Sequence, residues 1–198
     1  MEVYFTIEKT ATAAFKDKGS KFISYAYPVK TPEQVKEFLQ EVKKEHPKAT
    51  HHCYAYRLGT DGLAFRANDD GEPSGSAGKP ILNQIDSKDL TDVLVIVVRY
   101  FGGTLLGVPG LINAYKTATA LVLQLIPAMQ KNVEATITLD FDYTMLNDIM
   151  RIVRAHHCTV IAQDLQLFCS MKIGVPKSNL ELCLLKLKDL RGVEVKAK

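Results

Sequence analysis

Tryptophan is missing from these 198 residues, aromatic side chains make up 8% of them, and the four cysteines, Cys53, Cys158, Cys169 and Cys183, are scattered. None stands in C-x-x-C spacing, so neither a zinc site nor a redox dithiol is indicated, and buried free thiols are the expectation. No apolar run approaches the ~20 residues of a membrane span, and the opening MEVYFTIEKTATAAF lacks the basic and then apolar order of a signal peptide. These absences point to a cytoplasmic protein with no membrane partner. Charge of one sign is also scarce: the formal net charge is +3. That balance permits a nucleic-acid partner without asking for one, because a strong electrostatic footprint needs a clustered basic face.

What is present is 46% hydrophobic content, enough for a real core in one large or two small domains. VYFTI, TATAAF and KFISYAYPV read as short strands around a turn at Asp17 to Ser20. A helix follows: Thr31 caps it, Pro32 suits its first position, Gln34 completes a capping box, and Val35, Phe38, Leu39 and Val42 share one face. HHCYAYRL alternates as a half-exposed strand, and LTDVLVIVVRYF is a β-branched run suited to a strand buried on both faces. Pro109 suits the start of another helix, with Leu111, Ala114, Tyr115, Ala118, Val122 and Leu125 at helical spacing. From about residue 131 the pattern is strand, helix, two strands (TVIAQD, LFCSMKIGV), helix and strand. That is the split βαββαβ order of a ferredoxin-like domain. Two domains, 1–130 and 131–198, are expected in an α+β fold.

DDGEPSGSAGKP, residues 69 to 80, is the most polar and flexible stretch. It is no Walker loop, because Pro73 and Pro80 stand where a glycine and a hydroxyl residue are needed. Its backbone N–H groups at Gly75, Ser76, Ala77 and Gly78 could converge on an anion, with Lys79 beside them and a helix starting at Pro80; a solvated turn is the plainer reading. Asp69, Asp70 and Glu72 crowd three carboxylates together without EF-hand spacing, so a surface acidic turn, or carboxylates paired with Arg66, Lys79 or Arg99, is expected and no metal is assigned. His51 and His52 diverge, since neighbouring strand residues face opposite ways. RYFGG, from Arg99 and Tyr100 to Gly102 and Gly103, ends the buried strand and delivers side chains to a strand terminus, where α/β proteins place ligands.

HHCYAYRL, DDGEPSGSAGKPIL and VVRYFGGTLLGVPGLINAY together resemble, in the same order, the signature of the IMPACT family. The resemblance implies an N-terminal domain like domain two of ribosomal protein S-five and a C-terminal domain like the last domain of elongation factor G. It also implies association with RNA or the ribosome, because related folds hold RNA. Eukaryotic members act in translational control by competing for a partner of a translation-factor kinase. The family pattern more often has lysine, glycine and arginine where this chain has Leu105, Pro109 and Asn113, which removes two cations from the site.

The expectation is thus a non-catalytic RNA- or ribosome-associated protein without a cofactor, with a protein partner in translational control as an alternative. Its candidate site comprises His52, Asp69, Asp70, Glu72, Ser74, Gly75, Ser76, Gly78, Lys79, Arg99, Tyr100, Gly102 and Gly103. Tyr54, Tyr56, Tyr100 and Phe101 would stack bases, and Lys79 and Arg99 would hold phosphate. A small-molecule enzyme is the other alternative, with Asp70 or Glu72 as general base, His52 assisting and the glycine turn holding an oxyanion.

Overall fold

The computed structural model describes residues 2–166 and 168–197; Met1, Leu167 and Lys198 lie outside the described residues, and Leu167 is the first residue of an expected strand. The chain separates into two compact units, Tyr4–Lys131 and the chain from Asn132 onward together with the first few residues.

The larger unit contains β1 (Val3–Thr6), β2 (Ala11–Asp17), β3 (Ser20–Pro28), α1 (Pro32–Glu45), β4 (His51–Leu58), β5 (Ala64–Asn68), α2 (Gly78–Asp86), β6 (Val93–Tyr100), α3 (Gly107–Gln124) and β7 (Met129–Asn132), with β1 and β7 reaching its boundary. Five strands form an antiparallel sheet in the order β2-β3-β6-β4-β5, and β1 pairs with β7 separately. The β-branched run makes β6 the central strand. Its Val93, Val95 and Val97 pack with Ile81 and Ile85 of α2 and with Leu111, Ala114 and Ala118 of α3. Leu94, Ile96 and Val98 pack on the opposite face with Val35 and Val42 of α1. Each such buried side chain contributes about 1.5–3 kcal/mol relative to exposure, so both layers hold the sheet.

Local signals explain the helix starts. Thr31 Oγ1 accepts from Gln34 N at 3.3 Å while Gln34 Oε1 accepts from Lys30 N at 2.7 Å, a variant of the expected capping box. α3 begins at Gly107, two residues before the expected start, which leaves Pro109 in the first turn where its missing N–H has no partner to lose. Neither β5 nor β7 is evident from sequence periodicity.

The smaller unit contains β8 (Glu134–Asp142), α4 (Leu146–Ala155), β9 (Thr159–Leu165), β10 (Phe168–Pro176), α5 (Leu180–Lys188) and β11 (Val193–Ala197). Its antiparallel sheet has the order β11-β8-β10-β9, the ferredoxin-like arrangement expected from βαββαβ. Ile137, Leu139, Met171 and Ile173 of the sheet pack with Ile149 and Val153 of α4 and Cys183 and Leu187 of α5.

Candidate functional site

Arg99 is the penultimate residue of β6 and lies on the face covered by α2 and α3, and the sheet alternation then sends the last residue, Tyr100, to the α1 face. Between β5 and α2 the chain reverses at Asp70 (φ 41°) and Gly71 (φ 88°), closed by a Glu72 N–H to Asp69 O bond of 2.9 Å. Two left-handed residues in the middle of a turn are the I′ pattern, and glycine at the second accepts it without strain. This reversal turns Glu72 inward. Its Oε1 accepts from Arg99 Nη1 at 2.7 Å and from Tyr115 OH at 2.8 Å. Both partners of the ion pair are nearly closed to solvent, with 6% and 3% of the Arg99 and Glu72 side chains exposed.

Around that pair, Arg99 Nη2 donates to Ser20 Oγ at 3.4 Å, and the guanidinium lies 5.6 Å from the ring centres of both Phe22 and Phe101. Burial first, then neighbouring Cys53 and Glu72, pushes the Tyr115 hydroxyl well above the ordinary phenol range. Burial likewise raises the Cys53 thiol, whose Sγ is 3.3 Å from Tyr115 OH, so Cys53 is no ready nucleophile.

The glycine turn has a different job from the one expected. Asp69 Oδ1 accepts from the N–H groups of Ala77 and Gly78 at 3.0 and 2.8 Å, and Oδ2 accepts from Gly75 N at 2.9 Å. Three of the four N–H groups expected to form a cradle for an external anion are filled by the chain's own carboxylate, and Ser76 N–H donates to Pro73 O at 3.0 Å. Ser76 Oγ donates to Pro73 O at 2.6 Å, and Gly78 packs so closely on Asn68 that a Cβ there would meet the Asn68 nitrogen at 2.5 Å. Ser74 and Lys79 are exposed. Asp70 Oδ2 accepts from His52 N at 2.7 Å, and its other oxygen faces Lys43 Nζ at 3.8 Å.

The two histidines divide as the strand alternation requires, and His51 is the one beside Glu72. Its Nε2 is 3.9 Å from Glu72 Oε2, and its Nδ1 is 2.8 Å from the Asp70 carbonyl oxygen. A carbonyl can only accept, so Nδ1 carries the hydrogen. His52 points to the other face, where Nε2 lies 3.1 Å from His46 O and burial lowers its basicity. His52 therefore cannot assist Glu72, and Tyr100 is likewise tied to the α1 face, 2.8 Å from His46 Nδ1. Arg99 is committed to Glu72 rather than free for phosphate.

A cavity of about 350 Å³ opens beside the buried pair, with Glu72, His51 and Arg99 on its polar side and Phe101, Leu105, Val108 and Leu111 among its apolar walls. Phe101 is 49% exposed and Leu105 82%. Sequence spacing alone does not bring His51, Tyr115 or Val108 to the site; a tyrosine inside the apolar stripe of α3 is the available signal for Tyr115. Gly102 carries the neighbouring contact: a Cβ on it would lie 1.9 Å from the backbone of Gly19, and its N–H donates to Ser20 Oγ at 3.2 Å. This close approach sets the β2–β3 turn, with exposed Lys18, next to the segment of Gly102, while exposed Lys21 pairs in register with Tyr100 and with exposed Lys16, on the α1 face.

A larger open depression of about 860 Å³ lies on the smaller unit, among Asp140, Asp142, Phe168 and Glu194. Its acids are already engaged, Asp140 by Lys196 Nζ at 2.7 Å and Asp142 by Thr144 N at 2.9 Å. Among the described residues, no three His, Cys, Asp or Glu side chains are grouped to hold a metal ion.

These features define a two-domain α+β protein whose larger domain carries an acidic loop locked onto the end of its central strand. Residues 18–123 match the family model described as the Impact N-terminal domain. The chain is 32% identical over 191 residues to IMPACT family member YigZ of Escherichia coli, covering 96% of this chain and 94% of that one. It is 35% identical over 166 residues to an IMPACT family member of Haemophilus influenzae, covering 83% and 81%. A solved structure described as a crystal structure of a hypothetical protein is similar throughout, with a TM-score of 0.77, 31% identity and coverage of 100% and 98%. The chain belongs to the IMPACT family.

Proposed function

We propose that this protein acts in the control of translation as a non-catalytic, cytoplasmic, RNA- or ribosome-associated protein. Family membership supports the setting, since the eukaryotic members work in translational control. The observation that carries the RNA reading is the end of the β2–β3 hairpin, where exposed Lys16 pairs with exposed Lys21, Lys21 pairs in turn with half-buried Tyr100, and exposed Lys18 stands at the turn. Cations that hold phosphate next to an aromatic face that accepts a base are the working parts of a single-strand surface. The phosphate-holding role moves from Arg99, neutralised by Glu72, to these hairpin lysines.

Filter binding to single-stranded ribosomal RNA fragments across a salt series tests this. Wild-type affinity should fall with salt at a slope of about −0.7 per phosphate contact, and the Lys16→Ala, Lys18→Ala, Lys21→Ala variant should bind more weakly with a flatter slope. Equal affinity and slope for both proteins would favour a protein partner. That second reading draws on the exposed apolar series Phe101, Leu105, Val108 and Ile112, which surrounds the cavity mouth and continues along one face of α3.

A further inference from the structure

Two polar atoms, Glu72 Oε2 and His51 Nε2, face each other in the cavity beside Arg99. Glu72 takes its bonds from Arg99 and Tyr115 on Oε1, and among the described residues no donor reaches Oε2. His51 gives the hydrogen on Nδ1 to Asp70 O, and the tautomer with its one ring hydrogen there presents a lone pair at Nε2. The two atoms face each other at 3.9 Å, too far for a bond between them. A donor group set at ordinary distance, about 2.9 Å from each, bridges that gap. The Glu72 side chain is 3% exposed, so a donor that reaches Oε2 comes through the cavity.

The walls decide what carries the donor. Phe101, Leu105, Leu106, Val108 and Leu111 favour an apolar or aromatic body, and about 350 Å³ lies at the small-ligand end of pocket sizes. Arg99 already neutralises Glu72, so an ammonium head would sit among apolar side chains with no uncompensated charge to meet. A neutral NH₂ group avoids that cost and carries two hydrogens, one for each acceptor. Phe101 at the rim presents a ring on which a flat body can stack.

We infer that this cavity receives a nucleobase bearing an exocyclic amino group, with the amino group bridging Glu72 Oε2 and His51 Nε2 and the ring against Phe101. The chemistry is shared by a free nucleoside and by an unstacked base of an RNA strand. The inference takes its biological setting from the RNA reading, but the two fail separately because one rests on the cavity and the other on the hairpin lysines.

Calorimetric titration of the full chain with adenosine and cytidine, against inosine and uridine, is the first arm. Single-stranded oligoadenylate against oligouridylate is the second. Amino-bearing bases should bind roughly tenfold or more tightly than their carbonyl counterparts. That preference should vanish in Val108→Glu, a change at an exposed wall residue, and weaken in His51→Leu, with circular dichroism confirming that both fold. The arm that shows the preference identifies the source. Absence of the preference from both arms, or its persistence in Val108→Glu, would overturn the inference. In the Lys16→Ala, Lys18→Ala, Lys21→Ala variant, lost strand affinity with intact nucleoside preference supports the cavity; a nucleoside preference lost with the lysines removes it.

Discussion

Two consecutive residues at the end of β6 lead into opposite faces of one sheet, and the faces treat their polar groups differently. On the α1 face, Tyr25 OH donates to Glu45 Oε1 at 3.1 Å and is 2.6 Å from His46 Nε2, His46 Nδ1 is 2.8 Å from Tyr100 OH, and His52 Nε2 is 3.1 Å from His46 O. One assignment of hydrogens satisfies that chain: His46 donates through Nε2 and accepts through Nδ1. On the α2 and α3 face, Arg99, Glu72 and Tyr115 are equally buried, yet among the described residues Arg99 Nε has no partner and Glu72 Oε2 stands 3.9 Å from His51 Nε2, too far for a bond. A closed network rigidifies a scaffold, whereas an incomplete one beside a cavity is a place for a ligand.

The largest test of this contrast is Arg99→Met, which leaves the buried Glu72 carboxylate without its counter-ion. It should cost about 3–5 kcal/mol in urea unfolding, with much of the loss recovered in the Arg99→Met, Glu72→Leu double variant. A cost near zero would mean that Glu72 already reaches water and that the site is not closed.

A smaller loss is expected from Tyr100→Phe, which takes the hydroxyl donor from His46 Nδ1 on the opposite face. About 1–3 kcal/mol should disappear from stability while nucleoside binding stays unchanged. Altered binding would show that the two faces communicate through β6.

The smallest effect is acid sensitivity at His52. Burial holds its folded pKa below the unfolded value, so the unfolded chain takes up the proton first and stability falls as pH drops below about 6.5. The urea midpoint should fall more between pH 7.5 and 5.5 in wild type than in His52→Gln. Matching losses would assign the acid sensitivity to other groups.

Much of this contrast was legible in advance. The alternation of HHCYAYRL separated His51 from His52, and the apolar run of residues 93–98 gave a strand buried on both sides. The edge strand β5 was not, because Phe65, Arg66 and Ala67 are exposed and provide no buried face to make a pattern. Nor could spacing reveal that Asp69 would fold back to fill the N–H groups of Gly75, Ala77 and Gly78.

Sequence by itself determined the caps, the strand and helix periods and the βαββαβ order, because these arise among residues a few positions apart. Tertiary structure decided which of three neighbouring carboxylates turned inward and which histidine met it. Glu72 joins Arg99 across 27 positions and Tyr115 across 43, after a left-handed turn at Asp70 and Gly71 has aimed it. Periodicity records that a face is buried; the groups brought from distant segments determine whether its polar atoms are all used.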